Sequence, residues 1–175
     1  EVFCESWRGI KNRYCDVEEL VSKVKGYKAE IFVCEGDNVK KDVLENVDLK
    51  IIGSTRDDPN NIDLTTATKK GIPVLFTPGR NKNAVTEMTI TLMLALMRKV
   101  HKISQILHSN QFKVDEFSDY VDYYNQFKGN ELKGKIIGII GLGDIGFEVA
   151  KRLKGFEVEF LIYDPYVQES RLRYI

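Results

Sequence analysis

The chain has 175 residues, enough for one ample domain or two small ones. Its 26 basic and 26 acidic side chains balance, which argues against a nucleic-acid or membrane-surface binder. The longest apolar stretch, residues 88–97 (MTITLMLALM), is about half what a membrane span needs.

Cys4, Cys15 and Cys34 are odd in number, lack CxxC spacing and have no clustered histidine beside them, so reduced thiols are expected rather than disulfides or zinc ligands. No secretory leader is visible, although the chain opens at Glu1 without a methionine. The expectation is a cytoplasmic protein.

Over the first eighty residues, AEIFVC (29–34), LKIIG (49–53) and IPVLF (72–76) read as buried strands. DVEELVSKVKG, VKKDVLENV and IDLTTATKKG read as helices, with Gly26 and Gly71 as stops. The alternation predicts an α/β fold with a parallel sheet and helices on both of its faces.

A long helix is expected to start after Asn83 as N-cap, carry Glu87 in its first turn and run to about His108. Its first half is apolar all round, which predicts burial between packed elements. His101 and His108 stand about 10.5 Å apart along such a helix, too far to share one metal ion. Residues 109–130 are polar and aromatic without a clear period and read as a connector whose aromatic rings pack it down.

The chemistry-bearing stretch follows. GKIIGII (134–140) reads as a strand, IGFEVAKRLKG (145–155) as a helix and EVEFLIY (157–163) as a second strand. In that context Gly141, Gly143 and Gly146 fit the dinucleotide pattern G-x-G-x-x-G. The first glycine allows the tight turn, the second lets a pyrophosphate approach the backbone, and the third lets helix and strand pack closely. Backbone amides of Asp144 and Ile145 at the helix start should face the phosphates, with the Asp144 side chain solvated. Asp164, eighteen residues past Gly146, is placed to accept hydrogen bonds from both ribose hydroxyls and to repel a 2′-phosphate, which favours NAD over NADP.

The order of these parts, with RDDPNNID (56–63), TPGRNKNAVTE and ELKGKIIGIIGLGDIGFEVAKRLKGFEVEFLIYDPYV, resembles the D-isomer-specific 2-hydroxyacid dehydrogenase family, which includes phosphoglycerate dehydrogenase. The resemblance implies a flavodoxin-like substrate domain followed by the first βαβ unit of a Rossmann NAD-binding domain. Its expected boundaries are 1–82 for the partial substrate domain, 83–130 for an interdomain helix and connector, and 131–175 for the start of the NAD-binding domain. It also implies hydride exchange between NAD and a small 2-hydroxy or 2-oxo acid, usually in a homodimer, with no nucleic-acid or membrane partner.

By the same resemblance, Arg56, Asp57 and Asp58 border the substrate cleft and Asn81 lies near the crossing between domains. Asp57 and Asp58 stand where the family has glycines. Two acids there would oppose a substrate carboxylate unless they turn outward or pair with Arg56. Glu157 replaces a glycine at a turn expected to need positive φ.

The family's catalytic arginine, glutamate and histidine lie downstream of the ribose-binding acid, so no catalytic residue is assigned here and the chain is expected to be a fragment cut at both ends. An NAD(H)-sensing binding protein of the same architecture, without turnover, is the second reading. A self-contained α/β protein with no ligand is the third.

Overall fold

A computed structural model describes residues 1–5, 16–109 and 112–175. Cys15 falls outside the described residues. The chain divides into two units, Glu1–Arg80 and Asn81–Ile175.

In the first unit, α1 (Val17–Gly26), α2 (Lys41–Glu45) and α3 (Leu64–Lys69) alternate with β1 (Ile31–Cys34), β2 (Ile51–Ser54) and β3 (Val74–Leu75). The strands form a parallel sheet in the order β1-β2-β3, with Ile31 opposite Ile51 and Ile52 opposite Val74. Asp16 caps α1 by accepting the Glu19 amide at 2.7 Å, and Asp63 caps α3 by accepting the Thr66 amide at 3.1 Å. Such caps satisfy amides that have no partner inside the helix. The Thr66 amide and hydroxyl hold the Asp63 carboxyl below its usual range.

Leu20 and Val24 of α1, Val43 and Leu44 of α2 and Ile52 of β2 share one core. The expectation of helices on both sheet faces is not met at β1. Its side chains alternate, with Cys34 buried while Ile31 and Val33 are exposed. Gly71 does stop α3, at φ +70°, but after α1 the left-handed residue is Lys28 at φ +50°, not Gly26.

The second unit contains α4 (Lys82–Met97), α5 (Val100–Leu107), α6 (Phe117–Phe127), β4 (Ile136–Ile140), α7 (Asp144–Leu153), β5 (Glu159–Tyr163) and α8 (Glu169–Leu172). A 3-10 turn, Lys154–Phe156, joins α7 to the approach to β5. β4 and β5 pair in parallel from Ile136 opposite Glu159 to Ile140 opposite Tyr163, the strand-helix-strand unit expected from the sequence.

Three expectations are corrected here. The long helix begins at Lys82, so Asn83 lies inside it, and Asn81 occupies the cap position without a side-chain cap bond. It also ends at Met97. Lys99 takes φ +53° and α5 starts anew, because the chain at Gly129 and Asn130 docks against the break. The Asn130 amide donates to the Met97 carbonyl at 2.9 Å, and Lys99 Nζ donates to the Gln126 carbonyl at 2.9 Å.

Secondly, the connector contains a real helix, α6, opened by a capping box between Glu116 and Asp119. Of its rings, Tyr123 lies 4.8 Å from Phe112 and 6.2 Å from Phe127, but Phe117, Tyr120 and Tyr124 are exposed.

Thirdly, α4 is covered on one side only. Ile90, Met93, Leu94 and Met97, at i, i+3, i+4 and i+7, pack with Leu132, Val149 and Leu153. Met88, Leu92 and Leu96 on another stripe remain exposed. The β4-β5 sheet is likewise covered on one face: Ile137 and Phe160 join the core while Ile136, Ile140, Leu161 and Tyr163 are exposed.

Candidate cofactor site

The site is built at the carboxyl ends of β4 and β5. Their in-register pairing sets Ile140 beside Tyr163, and the Gly141 amide donates to the Tyr163 carbonyl at 2.8 Å. Asp164, the next residue, therefore lands beside the glycine turn.

Gly141 turns the chain at φ +88°, a conformation that disfavours any side chain. Gly143 is the N-cap of α7, and the Phe147 amide makes the first helical bond, to the Gly143 carbonyl at 2.9 Å. The amides of Asp144, Ile145 and Gly146 thus belong to the first turn, where donors have no intrahelical acceptor. Together with the positive end of the helix dipole they suit an anion.

Each glycine can be tested by the space a Cβ would meet. At Gly146 it would stand 2.3 Å from the Gly141 carbonyl oxygen, so only glycine lets α7 start this close to the turn. At Gly141 and Gly143 nothing lies within 4 Å, leaving open space through which a pyrophosphate can reach the backbone. The residues present fit a dinucleotide.

Asp164 is anchored on both oxygens. Oδ2 accepts the Leu142 amide at 2.6 Å and Oδ1 the Tyr166 amide at 2.8 Å. These amides, that of Tyr166 foremost, hold its carboxyl below the usual range, so it is ionised at neutral pH. Each carboxylate oxygen retains acceptor capacity for a hydroxyl.

Two features of the turn, the partner of Asp144 and the position of Arg171, are not visible in the sequence. Asp144 is not merely solvated: its Oδ1 accepts from Arg171 Nη2 at 2.6 Å. Arg171 Nη1 also donates to the Leu142 carbonyl at 3.1 Å, and its guanidinium carbon lies 5.6 Å from the Phe147 ring centroid. The available signal was a cation seven residues beyond Asp164, too weak on its own to assign a contact.

In the first unit, the loop after β2 holds Arg56, Asp57 and Asp58. The Arg56 amide donates to Ser54 Oγ at 3.3 Å, and its carbonyl accepts the Thr77 amide at 3.1 Å. Asp57 Oδ1 accepts the Gly79 amide, so this carboxylate is directed onto the 77–79 turn rather than onto Arg56. Asp58 is exposed. Asn81 belongs to the second unit.

Nearby in the first unit, Asn61 donates to the Asp37 carbonyl at 2.9 Å and contacts Cys34 Sγ at 3.6 Å. Burial, reinforced by Asp37, pushes the Cys34 thiol up to about 11, so it is not a nucleophile at neutral pH. His101 and His108 are exposed on or just beyond α5, with His108 Nδ1 against the Ser104 carbonyl at 2.8 Å. Among the described residues no group of three or more His, Cys, Asp or Glu could hold a metal ion, and no helix is long and apolar enough to cross a membrane.

A parallel strand pair, a glycine turn at a helix start and an acid at the second strand end define a dinucleotide-binding α/β protein. Comparison makes this specific. Residues 90–174 match the NAD binding domain of the D-isomer specific 2-hydroxyacid dehydrogenases. YoaD of Bacillus subtilis, assigned to the 2-hydroxyacid dehydrogenases, is 37% identical over 97% of this chain and 48% of its own. D-3-phosphoglycerate dehydrogenase of Archaeoglobus fulgidus is 38% identical over 90% of this chain and 28% of its own.

Among solved structures, D-lactate dehydrogenase from Aquifex aeolicus, complexed with NAD and lactic acid, superposes with a TM-score of 0.70 at 26% identity, covering 91% of this chain and 44% of that one. TT0316 from Thermus thermophilus gives 0.76 at 26% identity, covering 86% and 46%. The chain is similar to the D-isomer specific 2-hydroxyacid dehydrogenases, most specifically in their NAD binding domain. It spans about half the length of YoaD.

Proposed function

We propose that the protein is an NAD-dependent oxidoreductase that exchanges a hydride with a small 2-hydroxy or 2-oxo acid. The observation that carries this reading is the Gly141–Gly143–Gly146 turn with the ionised Asp164 beside it. NAD, when bound, supplies the hydride acceptor or donor. Gly143 and the amides of Asp144 and Ile145 hold the pyrophosphate, and Asp164 accepts from the ribose hydroxyls.

The first unit contributes the 56–58 loop to substrate recognition. Asp57, held by the Gly79 amide, keeps its charge on the 77–79 turn, leaving Asp58 and Arg56 as the charged side chains of the loop that remain to face a ligand. No catalytic residue is assigned within residues 1–175. The exposed apolar stripe of Met88, Leu92 and Leu96 on α4 supports assembly as a homodimer.

The test is oxidation of NADH by the full-length protein against a panel of 2-oxo acids differing in chain length and charge. Turnover with any member supports the reading. NADH-dependent association with no turnover across the panel would favour the alternative, an NAD(H)-sensing binding protein.

A further inference from the structure

An anion at the first turn of α7 presents a conflict. The same turn that offers amides to a pyrophosphate also carries Asp144, whose carboxylate is exposed and would repel phosphate oxygens at short range. Arg171, from the segment beyond β5, answers that charge at 2.6 Å.

The same guanidinium is fixed by two further contacts, the Leu142 carbonyl at 3.1 Å and the Phe147 ring at 5.6 Å. Leu142 is the middle residue of Gly-Leu-Gly and is 1% exposed. Its amide donates to Asp164 and its carbonyl accepts from Arg171, so both flanking peptides are held by side chains from the far end of the βαβ unit.

We propose that Arg171 is a cofactor-positioning residue: it draws the Asp144 carboxylate away from the pyrophosphate and fixes the Gly141–Leu142–Gly143 turn in its phosphate-accepting form. This rests on the reading of the turn as the NAD site. Arg171 acts through Asp144 and Leu142, and the cation itself tips the local potential toward an anion. Lysine is a poor substitute, because a single ammonium cannot serve the Leu142 carbonyl and the Asp144 carboxylate in the planar geometry that a guanidinium spans.

The test is calorimetric titration of NADH into the full-length protein at low and high salt, with thermal unfolding of each variant as a control on folding. The variants are Arg171→Ala, Arg171→Lys, Asp144→Asn and the double variant Arg171→Ala/Asp144→Asn. Arg171→Ala should weaken NADH roughly threefold to tenfold at low salt, the deficit shrinking as salt screens the freed carboxylate.

Asp144→Asn should bind NADH more tightly than wild type, and adding it to Arg171→Ala should restore most of the loss. A purely structural role for Arg171 would not be rescued by removing a charge at residue 144. Arg171→Ala that binds NADH as wild type does, or a deficit unchanged by Asp144→Asn, overturns the proposal. Wild-type protein that does not bind NADH overturns the cofactor reading, and the proposal falls with it.

Discussion

Glu157 sits at φ +55°, in the left-handed region that favours glycine, as its place in the GFE turn leads one to expect. Its carboxylate pairs with Lys133 at 2.8 Å, but both side chains are largely exposed, so the pair offsets little of the backbone cost. Glu157→Gly should therefore raise stability by about 1 kcal/mol, read as a shift in the denaturant midpoint with unchanged slope. No gain, or a loss, would show that the Lys133 pair matters more than the backbone. At this scale the geometry of the proposed cofactor turn was legible, because Gly141, Gly146 and Asp164 each meet a local demand at fixed spacing: a positive φ, a close backbone approach and an anchor for the Leu142 amide. Arg171 was not, since its partners Asp144 and Leu142 are 27 and 29 residues away and only the fold brings them together.

Among the elements, the break between α4 and α5 is held by a backbone approach that no periodicity records. A Cβ on Gly129 would meet the Met97 carbonyl oxygen at 2.4 Å and the Arg98 Cα at 2.6 Å, and neither is the free end of a flexible side chain. Gly129→Ala should cost about 1–3 kcal/mol, as overpacking against rigid atoms does, and the loss should be visible in thermal unfolding of the full-length protein. An unchanged midpoint would mean that the 129–130 segment does not pin the break. The apolar pattern continues through residues 94–106, which is why the sequence predicts one helix to His108. By contrast, α6 opens on a Glu116 to Asp119 capping box, but the mixed polarity of residues 109–130 gives no clear apolar period to announce a helix there. The strands and the three helices of the first unit were legible because their apolar periods and turn residues agree.

On the scale of the whole molecule, two α/β units each carry sheet side chains that are exposed, Ile31 and Val33 in the first and Ile136, Ile140, Leu161 and Tyr163 in the second. Parallel strands usually read as continuous apolar runs because both faces are covered, and these runs led to the expectation of two-sided burial. The pattern reports the character of the strands, while coverage depends on what packs against them. The NAD-binding class follows from the second unit, which carries the matched residues 90–174; in the function proposed above, substrate choice falls to the loop at 56–58, where Asp57 already accepts the Gly79 amide and Asp58 and Arg56 remain.

Because Asp164 also anchors Leu142, replacing it would disturb the turn as well as the proposed ribose contact, so the direct test compares cofactors rather than variants. The measurement is calorimetric titration of the full-length wild-type protein with NADH and, separately, with NADPH. One NADH should bind per chain and NADPH should be weaker by about tenfold or more, since a 2′-phosphate would stand against an ionised carboxylate. Absence of NADH binding, or equal affinity for the two, would contradict the proposed NAD site.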